Sequence, residues 1–281
     1  MSKPTILVTG ATGLLGPYLL ERARSAGQAL GLARSGTDIV CDLTDATSVR
    51  EVIRETKPNL VIHAAAMSDV DVCERDPDTA DRINRGATQT IADALPNDAF
   101  LVFFSSIAVY PDTTGPHTED GTDPVNVYGH TKLAGESAAL THTETLVLRT
   151  AMFGPSRNPG RMSLSDFILS KLQGNETLPL FEDELFSPLH VETLADITIR
   201  AGLARMTGVF NAASHDGMSK ADFGRAIAVA KDLPTTGMHI VNSRRLPGRV
   251  RRALDMRLDP ARLEATLGGT MPSLTAEIAR L

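Results

Sequence analysis

The sequence predicts an α/β fold in which a doubly wound parallel sheet is joined to a smaller C-terminal lobe. Three observations predict it. Short β-rich runs alternate with helical stretches through the first 150 residues. Several of these runs are apolar almost throughout, as the strands of a parallel sheet covered on both faces must be. The first run also leads directly into a glycine-rich turn and a helix.

The individual elements follow from residue type and hydrophobic period. After Gly154 and Pro155, a stretch with few apolar groups leaves the sheet, and shorter helices follow. We therefore divide the chain into a sheet domain, residues 1–155, and a smaller lobe, residues 156–281, some of whose segments return to the sheet. The predicted strands are 5–9, 29–33, 60–63, 100–104 and 145–148, and the predicted helices are 14–25, 46–55, 79–95, 128–140, 163–173, 191–205, 220–230 and 272–280.

Composition limits the possible classes of function. Of the 281 residues, 42% are apolar and 22% are charged, which is typical of a packed globular protein. A net charge of −6 argues against nucleic acid as a partner. No segment approaches the roughly 18 uninterrupted apolar residues of a membrane span, so no membrane association is expected. Cys41 and Cys73 have neither CxxC spacing nor a histidine cluster nearby, so we predict no disulfide, no metal site and a cytoplasmic location.

The glycine-rich turn follows the first strand and reads Gly10-Ala-Thr-Gly13-Leu-Leu-Gly16. Glycine is needed where the chain turns tightly and where its backbone approaches a pyrophosphate, and a helix N-terminus attracts phosphate. A glycine-rich turn without a ligand is the alternative, but its place between strand and helix favours the dinucleotide site of a Rossmann fold. The predicted cofactor contacts in this turn are Gly10, Thr12, Gly13, Leu14, Leu15 and Gly16.

The end of the second strand predicts which dinucleotide binds. A free ribose 2′-hydroxyl usually meets an acidic residue here, whereas a 2′-phosphate meets arginine. The chain has Arg34 and Ser35 instead of an acid, which predicts NADPH, with NADH possible and a solvated arginine as the alternative. Asp42 and Leu43 are placed to reach the adenine. Small side chains beside the cofactor ribose would come from Ala64, Ala65 and Ala66.

Tyr128 and Lys132 lie four residues apart at the start of a predicted helix, so they project from one face. A free phenol has a pKa of about 10. We expect the charge of Lys132, with that of an oxidised nicotinamide, to lower the Tyr128 pKa toward the working range of a general acid/base. Lys132 could also bond the nicotinamide ribose. Ser106 follows a predicted strand at the carboxyl edge of the sheet, where its hydroxyl could polarise a substrate carbonyl.

The chain resembles the extended short-chain dehydrogenase/reductases in the glycine turn, the alanine run, Ser105-Ser106 and Tyr128-x-x-x-Lys132. Within them it is most similar to the dTDP-4-dehydrorhamnose reductases, through NVYGHTKLAGE and MRLDPARLEATLG. This resemblance implies NADPH-dependent reduction of a 4-keto nucleotide sugar, as in dTDP-rhamnose biosynthesis, with Ser106, Tyr128 and Lys132 catalytic. The resemblance places the catalytic hydroxyl at Ser106, and Ser105 is the second candidate for that role.

Two departures from related patterns bear on the reaction. Rhamnose reductases usually carry Thr-Asp where this chain has Ser106-Ile107, and Ser-Ser-x-x-Val-Tyr is more similar to nucleotide-sugar epimerases. The resemblance to dehydratases would require Asp-Glu beside the catalytic hydroxyl, and Ile107-Ala108 cannot act as acid or base. An epimerase that retains NAD and a non-catalytic regulatory subunit, like the partners of methionine adenosyltransferase, remain as alternatives.

An arginine-rich segment, residues 244–252, lies in the predicted substrate lobe and holds five arginines without an acid. An arginine guanidinium can form two parallel hydrogen bonds with a phosphate. Arg249, Arg251 and Arg252 are therefore the predicted contacts for a substrate pyrophosphate. A solvated loop or a subunit contact, in a possible homodimer, is the alternative. His63 and His190 are expected to be structural.

Overall fold

The predicted parallel sheet is present and contains seven strands. The computed structural model describes residues 3–281. The seven strands are β1 (Thr5–Thr9), β2 (Gln28–Ala33), β3 (Ile39–Val40), β4 (Leu60–His63), β5 (Phe100–Phe104), β6 (Thr145–Thr150) and β11 (Gly208–Ala212). Their order across the sheet is β11-β6-β5-β4-β1-β2-β3, so the chain runs from β1 outward to β3 and then returns to β4 on the other side of β1. In folds with such a reversal, a crevice at the carboxyl ends of the two strands, here β1 and β4, is where ligands bind.

Helices cover both faces of the sheet, which is why its strands are apolar on both sides. The flanking helices are α1 (Gly16–Ala26), α2 (Ala46–Thr56), α3 (Val70–Arg75), α4 (Pro77–Asp81), α5 (Ala87–Ala94), α6 (Val127–Ala139) and α8 (Val191–Leu203). Ile6 and Val8 of β1 face a core that includes α1 and α8, whereas Leu7 faces a core that includes α2 and α5. Within residues 3–281, no helix combines the length and apolar character that crossing a membrane requires.

The helix predicted over 79–95 is interrupted. A π-helical turn, Arg82–Gly86, separates α4 from α5. The buried side chain of Asn84 explains it, because its amide exchanges two hydrogen bonds with the backbone of Met67, 2.9 Å from the Met67 N–H and 3.0 Å to the Met67 carbonyl. Hydrophobic period alone carries no sign of such a bond.

The rest of the C-terminal half builds a smaller lobe around its own apolar core. Phe223 packs edge-on against Phe153 and Phe186, with ring centroids 5.0 and 5.2 Å apart. Two segments of this half, α8 and β11, pack on the sheet itself. The assignment of the lobe to substrate binding stays a prediction. The lobe elements are β7 (Met152–Phe153), α7 (Leu164–Gln173), β8 (Leu178–Phe181), β9 (Leu185–Phe186), β10 (Leu189–His190), β12 (Met218–Ser219), α9 (Lys220–Ala230), β13 (Met238–Val241), β14 (Asp255–Met256), α10 (Ala261–Leu267) and α11 (Leu274–Ile278).

Candidate active site

The glycine turn has the geometry that close backbone approach demands. Gly10 has φ of +69°, and a Cβ there would lie 2.7 Å from the Ala65 nitrogen. The Gly13 N–H donates to the Gly10 carbonyl at 2.8 Å, which closes the turn. The next two N–H groups, of Leu14 and Leu15, donate to no protein group among residues 3–281. They lie at the N-terminus of α1, where free N–H groups suit a phosphate.

The residues predicted to contact the adenosine of the cofactor lie at the edge of the sheet, after β2 and β3. Arg34 and Ser35 are exposed at the end of β2. Within residues 3–281 Arg34 forms no ion pair, so its guanidinium is available to a ligand. Thr44 donates to the Asp42 carboxylate from its N–H and hydroxyl, at 2.9 and 2.8 Å. These bonds, and more weakly the charge of Arg34, lower the pKa of Asp42. Leu43 packs partly into the core beneath α2.

The half-buried alanine run follows β4 and adjoins the glycine turn. The backbone of Ala64 and Ala65 lies against Gly10 so closely that a side chain on that glycine would collide with both. The Ala65 N–H donates to Thr9 Oγ1 at 3.3 Å, which ties the run to β1. Ala66 continues the run at similar exposure. These small residues therefore lie beside the glycine turn, at the carboxyl end of β4.

The N-terminus of α6 brings Tyr128 toward Ser106. Asn126 caps the helix by accepting the Gly129 N–H at 2.9 Å. Gly129 packs so tightly that a Cβ would lie 2.2 Å from the Ala108 carbonyl oxygen, in the short helix after Ser106. The Ser106 Oγ accepts the Ala108 N–H at 3.1 Å, which leaves its own O–H free to donate.

Burial shifts the pKa values of both Tyr128 and Lys132. Among the chain's own residues, burial raises the pKa of the Tyr128 phenol, and hydrogen bonding from Ser106 opposes this only in part. Burial also lowers the pKa of Lys132 to about 7, against the opposing charge of Glu136. These groups alone therefore keep the phenol protonated at neutral pH. The predicted lowering of the Tyr128 pKa concerns the chain with an oxidised nicotinamide bound, and it stays a prediction.

Lys132 is buried beside an aromatic ring. Its side chain is only 2% exposed, and its Nζ lies 4.2 Å from the centroid of the Phe103 ring, a cation–π contact. Among residues 3–281 its Nζ forms no hydrogen bond or ion pair. An ammonium has three N–H donors and gains greatly from a partner when buried.

Ser105 points into a separate buried network. Its hydroxyl donates to the Glu136 carboxylate. Arg149 binds the same carboxylate through two parallel bonds of 2.9 and 2.7 Å. Arg149 also donates to the Tyr110 hydroxyl at 3.0 Å. Ser105 therefore has a structural partner, which supports the choice of Ser106 as the hydroxyl for chemistry.

Two polar groups near the site were missed in the sequence. The Asn84 amide donates to Thr131 Oγ1 at 3.0 Å, and that hydroxyl donates to the Tyr128 carbonyl at 2.9 Å. Together they hold the first turn of α6. The only sequence signal was an asparagine before Gly86 in an otherwise helical run. His63 lies between the hydroxyls of Thr9 and Thr88, at 2.6 and 3.1 Å.

The arginine-rich segment meets acids from other parts of the chain. Asn126 donates to the Arg251 carbonyl at 2.9 Å, so the segment lies beside the start of α6. Four of its five guanidinium groups are paired, and the predicted role of the segment in substrate binding stays a prediction. The pairs are Arg249 with Glu184, Arg251 and Arg244 with Asp112, and Arg252 with Asp71.

Several known proteins are similar to this chain in sequence. The family model described as RmlD substrate binding domain matches residues 4–281. A probable low-salt glycan biosynthesis reductase of Haloferax volcanii is 30% identical in an alignment 291 positions long, which covers 98% of this chain and 96% of that protein. Methionine adenosyltransferase 2 subunit beta of Rattus norvegicus is 32% identical in an alignment 277 positions long, which covers 94% of this chain and 82% of that protein.

Solved structures show the same architecture. A dTDP-4-dehydrorhamnose reductase from Bacillus anthracis, in complex with NADP, has a TM-score of 0.91 to this chain at 22% identity, covering 99% of this chain and 98% of that one. This likeness shows the fold. The match of the family model over residues 4–281 shows the family: the chain belongs to the RmlD substrate-binding domain family, within the extended short-chain dehydrogenase/reductases that its motifs resemble.

Proposed function

We propose that the protein is an NADPH-dependent reductase of a 4-keto nucleotide sugar. The observation that carries this proposal is the placement of a half-buried Tyr128 beside Ser106, one helical turn from a buried Lys132 whose Nζ has no protein partner among residues 3–281. The family match and the NADP in the Bacillus anthracis reductase support the same reading.

The crevice fits a phosphorylated dinucleotide. The unpaired N–H groups of Leu14 and Leu15 would hold its pyrophosphate, and Gly10 leaves the space for that approach. Arg34, exposed and without an ion pair in residues 3–281, would hold a 2′-phosphate. Lys132 would hold the nicotinamide ribose. When bound, the cofactor supplies a hydride to the carbonyl carbon of the substrate.

The protein's own residues then handle the carbonyl oxygen. Ser106 donates a hydrogen bond to it as negative charge develops. Tyr128 donates its phenolic proton, and because burial keeps that phenol protonated, the donor form is present at neutral pH. Removal of water from the sugar is disfavoured, because Ile107 and Ala108 stand where a dehydratase would need an acid and a base.

The identity to methionine adenosyltransferase 2 subunit beta gives a second candidate, a regulatory subunit without turnover. It would use the same fold and cofactor site to bind a partner enzyme. An epimerase that retains NAD is less well supported, because Arg34 stands where an acid would bind the NAD ribose.

The test is to assay oxidation of NADPH by the purified protein with a panel of 4-keto nucleotide sugars, the corresponding free sugars and simple ketones. We expect turnover with a nucleotide-linked sugar and much weaker turnover with the others. Cofactor binding without turnover on any substrate would favour the regulatory subunit. Equal turnover of free ketones would remove the nucleotide-sugar assignment.

A further inference from the structure

A loop from the C-terminal lobe reaches back to the glycine turn. It spans residues 154–163, between β7 and α7, and Asn158 extends from it to donate a hydrogen bond from Nδ2 to the Thr12 carbonyl at 2.7 Å. Thr12 is the residue before Gly13 in the turn. No part of the sequence signalled this contact, which joins residues 146 positions apart.

With this bond, both polar groups of one peptide unit are hydrogen-bonded. The carbonyl of Thr12 and the N–H of Gly13 belong to the same planar group. The N–H donates to the Gly10 carbonyl at 2.8 Å, and the carbonyl accepts from Asn158. Both polar ends of the plane are therefore held. The next two N–H groups along the chain are those of Leu14 and Leu15, which are free to bind phosphate.

Asn158 is itself held in one orientation. Its Oδ1 accepts the Gly160 N–H at 3.0 Å, which leaves Nδ2 to face the turn. Its backbone exchanges bonds with Ser156 Oγ at 3.0 and 3.2 Å. Asp166, in the first turn of α7, accepts the Ser156 N–H at 3.0 Å and so anchors the loop to the lobe.

The same loop is fastened to α1 next to the turn. The Tyr18 hydroxyl donates to the Pro155 carbonyl at 2.7 Å. Arg157 lies over the Tyr18 ring at 4.0 Å and forms an ion pair with Glu21 at 2.5 Å. These contacts hold the loop against α1, but only Asn158 bonds the turn.

We propose that Asn158 is a positioning residue for the cofactor: it orients the phosphate-binding turn from the C-terminal lobe. The proposal rests on the proposed function only in that NADPH is the ligand. Because the bond acts on the pyrophosphate site, its loss should weaken ligands that contain the pyrophosphate and spare ligands that bind through the adenosine end alone.

The test uses Asn158→Ala and Asn158→Asp in the full chain, with Arg157→Gln as the matched control in the same loop. Dissociation constants are measured for NADPH and for 2′-AMP, which lacks the pyrophosphate, alongside kcat, KM for the sugar substrate and Tm. We expect Asn158→Ala to raise the Kd of NADPH by roughly 3- to 10-fold, the worth of one hydrogen bond. Kd for 2′-AMP should stay within about twofold.

Asn158→Asp keeps the acceptor for the Gly160 N–H but loses the donor to the Thr12 carbonyl. It should weaken NADPH binding at least as much as Asn158→Ala does. Arg157→Gln should leave the Kd of NADPH unchanged. An unaltered NADPH affinity in both Asn158 variants would overturn the proposal while leaving the proposed function intact. Equal weakening of NADPH and 2′-AMP binding would also overturn the proposal, because a general loss of loop structure would explain it. Weaker NADPH binding in the Arg157→Gln control would overturn it for the same reason. A wild-type protein that does not bind NADPH would remove both.

Discussion

At the scale of single residues, Tyr128 is the proposed proton donor. Burial disfavours the phenolate and raises the pKa. We predict that Tyr128→Phe lowers kcat by roughly 10²–10⁴-fold, the usual contribution of a general acid, and leaves NADPH affinity near wild type because the ring remains. Steady-state kinetics and a binding titration measure the two effects. Wild-type turnover in the variant would contradict the assignment.

Burial of Lys132, which we propose binds the nicotinamide ribose, costs stability. Burial lowers its pKa to about 7 in the folded chain, against about 10.4 in an unfolded one. Between these values the unfolded state binds more protons, so the contribution of Lys132 to stability improves as pH rises from 7 toward 10.4 and is least favourable below 7. We predict that Lys132→Met abolishes activity but raises Tm at pH 6, with the gain shrinking toward pH 10.

Thermal unfolding across that pH range tests this prediction. Lys231→Met, at an exposed position, is the control and should change Tm little at any pH. A Lys132→Met variant that is less stable than wild type at pH 6 would show that the ammonium is compensated in the folded chain.

Arg34 is the residue that we propose selects between the two dinucleotides. It is exposed at the end of β2 and forms no ion pair within residues 3–281, so a 2′-phosphate would gain a charge-assisted bond there. Such a bond is worth about 1.5–3 kcal/mol. We predict that Arg34→Gln lowers kcat/KM with NADPH by on the order of 10- to 100-fold and leaves kcat/KM with NADH nearly unchanged. Equal losses with both cofactors would argue for a structural arginine.

At the scale of elements, β5, β6 and α6 are joined by one buried ion pair. Glu136 of α6 binds Arg149 of β6 at 2.7 Å and also accepts the hydroxyl of Ser105 at the end of β5. Removing one partner of such a pair leaves a buried charge alone, at a cost of about 3–5 kcal/mol. We predict that loss for Glu136→Gln, measured as the free energy of unfolding in urea.

The two neighbouring serines provide the matched comparison. Ser105→Ala and Ser106→Ala each remove one side-chain hydrogen bond, to Glu136 and from the Ala108 N–H, and each should cost about 1 kcal/mol. Only Ser106→Ala should also lower kcat, and a loss of kcat in Ser105→Ala alone would exchange the two roles.

The elements also show what a sequence can predict. The bounds of β1, β4 and β5 match those expected, because a strand buried on both faces is a short apolar run with polar residues at its ends. The helix across 79–95 was wrong in its middle, because Asn84 interrupts it by bonding Met67, 17 positions away. Side-chain to backbone bonds of that kind leave no periodic signal.

At the scale of the whole molecule, the same distinction separates the parts of the site. Ser106 and Tyr128 could be placed together from the sequence, because strand carboxyl ends share one edge of a parallel sheet. The partners of the arginine-rich segment could not. Asp71 and Asp112 lie 181 and 139 positions from Arg252 and Arg251, and only the packing of the lobe on the sheet domain brings them together.

The ion pair between Arg252 and Asp71 spans from the lobe to the helix after β4, at 2.9 Å. If a substrate pyrophosphate docks here, it must share Arg252 with that carboxylate. A contact remote from the reacting carbonyl holds the ground state and the transition state alike, so its loss appears in KM. We therefore predict that Arg252→Gln raises KM for the nucleotide sugar by roughly 10-fold, the worth of a charge-assisted bond, and changes kcat by less than about twofold.

Salt gives this prediction a second, independent readout. The charges are screened over about 8–10 Å at physiological ionic strength, so the wild-type KM should rise with added salt, and the KM of the variant should rise less. Arg245→Gln is the control, because this neighbouring arginine is exposed and forms no ion pair within residues 3–281. An Arg252→Gln variant with an unchanged KM would assign the segment to holding the lobe against the sheet domain, and its urea unfolding would then show the loss of the Asp71 contact instead.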